Sequence, residues 1–520
     1  MIIFGREIGG AGRRANRWSV LALLCFSLLL VAVDATVLHI AVPALTAALE
    51  PSAVQLLWII DIYSLVVAPL LVTFGTLGDR YGRRAFVIGG YVVFGVASLA
   101  AAFAATPIAL ILARACLGVG GAMIMPATLS IIRQVFTDRR ERAIALGVWG
   151  AVAAGGAAVG PMLGGVLVEH FWWGAVFLIN VPLLLVALPL AIRLLPPTTR
   201  RAHPWDALSA ALSVAGLLAL AFGLKEAGYG HTIGRGPALL VFALGVALLV
   251  WFTRRQRRLA TPLLDIGLFT QRGFATGVAC VLLAIFAMVG LELMLAQYLQ
   301  LVLGLSPLGA ALRMVPLMVA AIVGGLTAAR LLDLIGLRAT MSGGLALTAL
   351  ALMPVLSWGA EDHPVALALC FVGIGFGVEV ALLAASDTIM ASVPESRAGG
   401  AAAIEETAYE LGAGLGIAVL GTITTIVYAP ALLVPAELPP DLAVLARESL
   451  AAAAHVATEL GGPAGASLLA EARLAFVSGL HAAVLVSVLF LLVTAVSVAV
   501  LLPRRQAARA AARERERVAA

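Results

Sequence analysis

Fourteen apolar runs, each about 20 residues long, constrain this chain more than any other feature. They lie near 18–41, 54–77, 85–104, 108–132, 143–167, 175–195, 206–224, 237–253, 275–299, 309–331, 339–357, 365–390, 400–428 and 475–502. Each can cross a hydrocarbon core of roughly 30 Å. A lone segment in lipid satisfies its own backbone polar groups only as a helix. The predicted fold class is therefore all-α, a polytopic membrane protein with 14 transmembrane helices. Composition agrees: 62% of residues are hydrophobic and 12% charged, with a mean hydropathy of +1.06. Soluble domains run at about 45–50% and about 25%. The net charge of +6 would suggest nucleic acid in a soluble protein. Here the basic residues fall on alternate connections instead. One set holds Arg13, Arg14, Arg17, Arg80, Arg83, Arg84, Arg139, Arg140, Arg142, Arg254, Arg255, Arg330, Arg338 and the tail from Arg504; the other holds Lys225, Arg235, Arg447 and Arg473. That bias places both termini in the cytoplasm, which needs an even number of crossings. The first run follows basic residues as a signal peptide would, but it continues past Asp34 to Pro43 without a cleavage site and reads as a membrane helix.

An internal repeat divides the chain. Asp79-x-x-Gly82-x-Arg84 recurs as Asp333-x-x-Gly336-x-Arg338 at an offset of 254 residues. Arg142-Ala143 recurs as Arg397-Ala398 at 255, and the glycine-rich stretch around Gly160 recurs around Gly414 at 254. Three recurrences at nearly one offset make two parallel halves related by a pseudo-two-fold axis, in a 6+2+6 arrangement. The expected division is a cytoplasmic N-terminus (1–17), a six-helix bundle (18–196), a linker with two inserted helices (197–274), a second six-helix bundle (275–502) and a basic cytoplasmic tail (503–520). Residues 429–471 form the one long outward segment, with an amphipathic piece from Asp441 to Glu459; they read equally as a cap or as a flexible spacer.

Ionisable residues inside apolar runs are costly, about 2.5–3.5 kcal/mol near a helix centre, and are functional candidates for that reason. Asp34 and Asp61 each fall several residues inside the outer ends of runs 1 and 2. A common depth of roughly 10–14 Å follows from the helical rise. They read either as a proton-titrating or cation-binding pair or as two acids satisfied separately by neighbouring helices. Run 13 carries Glu405, Glu406 and Glu410; the last two share a face. Three carboxylates so close in a membrane helix have no packing rationale and suit proton exchange, although Glu405 could simply be hydrated near the cytoplasmic end. Glu292 is deep in run 9 and could join them, while Arg313 and Asp387 are within reach of an interface. Arg114, in run 4, needs a partner, for which Asp34 or a backbone carbonyl is available. Trp58, Tyr63, Trp149, Tyr298 and Tyr409 supply aromatic walls, and an acidic, aromatic cavity suits a greasy cation. Cys25, Cys116, Cys280 and Cys370 show neither metal nor disulfide spacing and read as buried small hydrophobes. The absence of a G-x-x-x-x-G-K-[ST] sequence excludes ATP-driven transport.

Several motifs carry a family resemblance. Gly75-x-Leu77-x-Asp79-Arg80-x-Gly82-Arg83-Arg84, with Gly78 opening the seven-residue loop GDRYGRR, resembles the motif between helices 2 and 3 of the major facilitator superfamily. Asp34-Ala35-Thr36-Val37-Leu38-His39-Ile40-Ala41-Val42-Pro43 is similar to a pattern of fourteen-helix drug:proton antiporters, with His39 where Asn is usual. Gly156-x-x-x-Gly160-Pro161-x-x-Gly164 resembles the exporter motif of helix 5. Arg114-x-x-Leu117-Gly118 resembles a helix 4 motif linked to proton coupling, with Leu117 in place of Gln. Trp58-x-x-Asp61-x-Tyr63 with Glu405, Glu406 and Glu410 narrows the resemblance to the quaternary-ammonium-compound exporters. It implies a major facilitator fold and alternating access. It also implies export of lipophilic cations (quaternary ammonium compounds, dyes, biguanides) against proton entry, by a monomer in the bacterial cytoplasmic membrane with no cofactor and no nucleic-acid partner. Export of an endogenous metabolite, siderophore or antibiotic, and a non-transporting sensor or scaffold, are the alternatives.

Overall fold

The computed structural model describes residues 16–196, 206–229, 234–260, 262–393, 398–435 and 438–502, all of it helix and short connection. The helices are α1 (Arg17–Leu49), α2 (Ala53–Tyr81), α3 (Arg83–Ala102), α4 (Pro107–Val135), α5 (Arg139–His170), α6 (Ala175–Leu178), α7 (Asn180–Leu194), α8 (Ala207–Tyr229) and α9 (Arg235–Gln256). There follow α10 (Arg272–Gln297), α11 (Pro307–Ile335), α12 (Leu337–Leu352), α13 (Pro364–Ala391), α14 (Ala398–Ala431), α15 (Pro440–Glu448), α16 (Leu450–Leu460) and α17 (Gly462–Leu501). Thirteen spans among the described residues are long and apolar enough to cross a membrane, α6 and α7 together making one. With α5, a 32-residue helix lying along α1, they match the fourteen runs.

The halves repeat one packing scheme. α5 lies on α1 as α14 lies on α10, and glycines permit both approaches. A Cβ at Gly156 would stand 2.8 Å from the Ala32 Cβ, one at Gly160 would collide with the Thr36 hydroxyl, and one at Gly164 would reach 2.7 Å from the Val37 carbonyl. In the other half a Cβ at Gly412 would lie 2.5 Å from the Leu282 carbonyl. Small residues at four-residue spacing let two backbones come this close. Pro161 sits within α5.

The seven-residue loop expected at 78–84 shrinks to a single residue. α2 runs to Tyr81 and α3 starts at Arg83, with Gly82 between them at φ 107°. Its repeat partner Gly336 joins α11 to α12 at φ 83°. Both conformations disfavour any residue with a Cβ, so the repeat is preserved in backbone geometry. Gly78 accepts the backbone N–H of Gly82, and Gly75 lies against Pro126. Arg80 covers the Tyr81 ring, Arg83 donates to the Ser130 carbonyl, and Arg84 donates to the Ile192 carbonyl at the end of α7. The Asp79 side chain, Arg397, residues 1–15 and the basic tail lie outside the described residues; Asp333 and Arg338 sit either side of Gly336.

The face holding Gly82 and Gly336 is called the basic face, and the opposite one the cap face. Residues 429–435 and 438–471 form a helical cap there, not a spacer. α15 and α16 pack back toward the bundle, and α17 begins at Gly462, thirteen residues before the expected 475. Tyr428 donates to the Ala446 carbonyl at 2.8 Å. The cap also reaches across to α1 and α2. The Glu448 carboxylate accepts the Ala53 N–H at 2.8 Å at the start of α2, and His455 lies 3.2 Å from Glu50. Glu50 terminates α1 at φ 45°, rare for a residue with a side chain.

The two halves meet along α2–α14 and α5–α11. A Cβ at Gly414 would be 3.0 Å from Leu65, and one at Gly165 would be 3.0 Å from the backbone of Leu308. Glu169 accepts from the Ser306 hydroxyl and the Leu308 N–H, while Gln300, in a π-helical turn continuing α10, donates to the Ile40 carbonyl. These contacts seal the cap face. The inserted helices α8 and α9 pair with each other, and α8 touches both α2 and α14. Asp206 caps α8 through the Ser209 N–H and grips Arg255 with both oxygens, at 2.9 and 3.1 Å.

Candidate functional site

Two buried ion pairs anchor the interior. Asp34, on α1, accepts from Arg114 of α4 at 3.2 Å and from Asn180 of α7 at 2.9 Å. Arg114 also donates to the Ile59 and Ile60 carbonyls, and its guanidinium lies 5.1 Å from the Tyr63 ring centroid. Both expected kinds of partner for Arg114, Asp34 and backbone carbonyl, are thus in use at once. Arg114 is 1% exposed and Asp34 0%, so each charge depends on the other for compensation. Asn180 was not anticipated; a short polar residue at the edge of an apolar run reads as a boundary.

The second pair is Asp61–Lys225 at 2.8 Å, both fully buried. Sequence reasoning put Lys225 in an outer connection because run 7 ends at 224; instead α8 continues and carries it inward. Its only sequence signal is that it is the sole lysine of the chain. The Lys225 ammonium also lies 3.7 Å from the Trp58 ring centroid, one turn before Asp61 on α2.

The expected depth match between Asp34 and Asp61 fails. α1 passes through Pro43 to Leu49, so Asp34 lies 15 residues from its cap-face end, whereas Asp61 is 8 residues from the start of α2. At the helical rise these are roughly 22 and 12 Å. The two acids engage different cations and do not pair.

On α14, Glu410 is buried beside Ser64 of α2, three residues beyond Asp61, and both Glu406 and Glu410 act electrostatically on Tyr63. Glu406 and Glu405 are partly exposed, Glu405 beside Ser386. Glu406 and Glu410 therefore face α2 across the seam between the halves, whereas Glu405 faces α13, and no basic partner for Glu406 or Glu410 occurs among the described residues. Tyr409 lies within the field of Glu410, Glu406, Glu379 and Glu292. Glu292, 7% exposed, approaches His39 of α1 at 3.9 Å, and the His39 Nδ1 makes no hydrogen bond among the described residues.

Other expectations divide. Tyr63 is buried with its hydroxyl unpartnered among the described residues, as is the Trp149 indole N–H. Tyr298 is not a cavity residue: it is 2% exposed and its hydroxyl donates to the Gly359 carbonyl under the α12–α13 connection. Arg313 pairs with Asp362 through its two terminal guanidinium nitrogens at an exposed position. Cys25, Cys280 and Cys370 are buried, but Cys116 is exposed. The direction in which a side chain leaves its helix is not set by its type, which is why the exposure of Cys116 is not legible in the sequence.

The family model described as Major Facilitator Superfamily matches residues 24–417. The chain is 42% identical over 484 residues to the "Multidrug efflux pump LfrA" of Mycolicibacterium smegmatis, spanning 93% of this chain and 96% of that one. It is 41% identical over 463 residues to the "Methyl viologen resistance protein SmvA" of Salmonella typhimurium, spanning 89% and 93%. Among solved structures, the inward-facing, unoccupied crystal structure of a bacterial homolog to the human lysosomal transporter Spinster aligns with a TM-score of 0.66. The identity is 19%, covering 93% of this chain and 96% of that one, and the likeness concerns the fold. The chain belongs to the Major Facilitator Superfamily and is a multi-pass membrane transporter, not an enzyme.

Proposed function

We propose that this transporter is a proton-coupled multidrug efflux antiporter. It exports lipophilic cations, such as quaternary ammonium compounds, cationic dyes and biguanides, across the bacterial cytoplasmic membrane by alternating access. The observation that carries this reading is the acidic excess at the seam between the halves. Glu406 and Glu410 face α2 beside Ser64 and Tyr63 without a basic partner among the described residues, while Asp34 and Asp61 are already compensated. An uncompensated carboxylate in low dielectric is stabilised by taking up either a proton or an organic cation. One site cannot hold both, and that competition is the exchange. The sequence relatives named for multidrug efflux and methyl viologen resistance support the same substrate class.

Sidedness completes the cycle. The arginine-rich connections support a cytoplasmic basic face, which makes the cap face external. Opening outward breaks the Glu169–Ser306 and Glu448–Ala53 contacts and closes the basic face, where Gly82 and Gly336 join the helices that move. Proton arrival from outside then displaces the cation.

The test is ethidium movement in proteoliposomes with an imposed pH gradient. Efflux is expected to require the gradient and to be abolished in Glu410→Gln, with protein level and fold retained. Gradient-driven ethidium efflux by Glu410→Gln at the unaltered rate would sink the assignment of Glu410. No ethidium movement by a folded wild-type protein would favour export of a metabolite instead.

A further inference from the structure

Lys225 stands out by its origin and by the contacts its ammonium makes. It is the only lysine among 520 residues, it is fully buried, and it comes from the inserted helix α8. Its ammonium makes the two contacts that a lipophilic cation would seek. It sits 2.8 Å from the Asp61 carboxylate and 3.7 Å from the Trp58 ring centroid. Carboxylate plus aromatic face is the general recognition chemistry for alkylated ammonium groups. Phe222, one turn before Lys225, extends the wall, its ring 6.4 Å from that of Trp58. The group is also at the right place. α8 touches both α2 and α14, and Asp61, which holds Lys225, lies one turn before Ser64, against which Glu410 is buried.

We propose that Asp61 and Trp58 form a second cation subsite, and that Lys225 is its resident occupant, a tethered ammonium that exported cations must displace. This rests on the reading of the protein as an exporter of organic cations, and it assigns to the inserted helix a role in setting which cations are carried. In the sealed state the lysine holds the subsite neutral without freezing the protein in a cation-bound form. A substrate with a single permanent charge exchanges for Lys225 one for one. A dication such as methyl viologen can engage Asp61 with one charge and Glu410 with the other, and so gains most from displacing it.

A lysine that merely balanced Asp61 would behave differently. Lys225→Met leaves the carboxylate and the indole in place and removes their occupant, so the affinity of purified protein for ethidium, followed by its fluorescence, is expected to rise roughly thirtyfold, the factor one desolvated cation–π contact represents. Asp61→Asn combined with Lys225→Met is expected to lose that gain. Lys225→Met binding ethidium no more tightly than wild type would overturn the proposal while leaving ethidium export by the wild type intact. Absence of ethidium binding by folded wild type would instead bring down the reading beneath it. Should Lys225→Met not fold, the unaltered chain supplies the measurement, since Lys225 is its only side-chain amine. Saturating methyl viologen is expected to speed modification of that amine by a small amine-reactive reagent several-fold; labelling that is unchanged or slowed would overturn the proposal.

Discussion

Arg114 shows what a single buried charge demands. Its three donor nitrogens reach Asp34, Ile59 and Ile60, and Asn180 holds the second oxygen of Asp34. Arg114→Met removes one partner and leaves a buried carboxylate, at a cost of about 3–5 kcal/mol. The detergent-solubilised protein is expected to melt at a clearly lower temperature by tryptophan fluorescence. Asp34→Leu together with Arg114→Met should recover most of that loss, because an apolar pair of similar volume replaces the ion pair with little penalty. Failure of the double variant to recover would mean that the pair is not the unit of stability. This much was partly legible in the sequence, since an arginine in an apolar run announces its need of a partner. Lys225 was not, because a lysine one residue past a run looks like the start of a connection until tertiary packing extends the helix around it.

At the scale of the helix, proline and glycine decided what could be read. Pro43 reads as an end of run 1, yet in a membrane helix it costs one hydrogen bond that neighbouring groups can offset, and α1 continues to Leu49. The glycines of α5 were legible, because spacing alone announces a close approach. Gly160→Leu would drive a side chain into Thr36 and Val33; lost accumulation in the membrane is expected, and normal accumulation would show that α1 and α5 can separate at no cost. The α8–α9 hairpin depends on a different device. Arg255 holds the Asp206 carboxyl at about 2, against an ordinary 3.8. A folded value below the unfolded one contributes stability that is full above the ordinary carboxylate range and is lost only as pH falls toward about 2. Asp206→Asn is therefore expected to lower the melting temperature by the same amount at pH 8 and pH 5. A deficit confined to alkaline pH would contradict the pairing.

Across the whole molecule, the repeat at 254 residues makes the two halves and the two glycine junctions legible in the sequence. What it did not give was the state of the seam, since contact between halves depends on packing of residues far apart in sequence. The Glu169–Ser306 contact tests that state. In a background lacking the four native cysteines, Glu169→Cys with Ser306→Cys is expected to form a disulfide that stops ethidium efflux and releases it on reduction. Full transport by the oxidised protein would show that the cap face need not open there.

The last helix carries a mechanical consequence. α17 has 40 residues, roughly 60 Å at the helical rise, about twice the thickness of the hydrocarbon it crosses. Its surplus stands above the bilayer like a mast, with α16 folded down against it from the Gly461 corner and α15 beyond. A few degrees of tilt at the membrane therefore become about 2 Å of sweep at the Gly461 corner, and α16 carries that motion back down to His455 and Glu448, which rest on the ends of α1 and α2. A rotation of one half would be carried along this mast to the Glu448 and His455 contacts on the other, and shortening α17 by whole turns is expected to break those contacts while sparing every residue in the membrane.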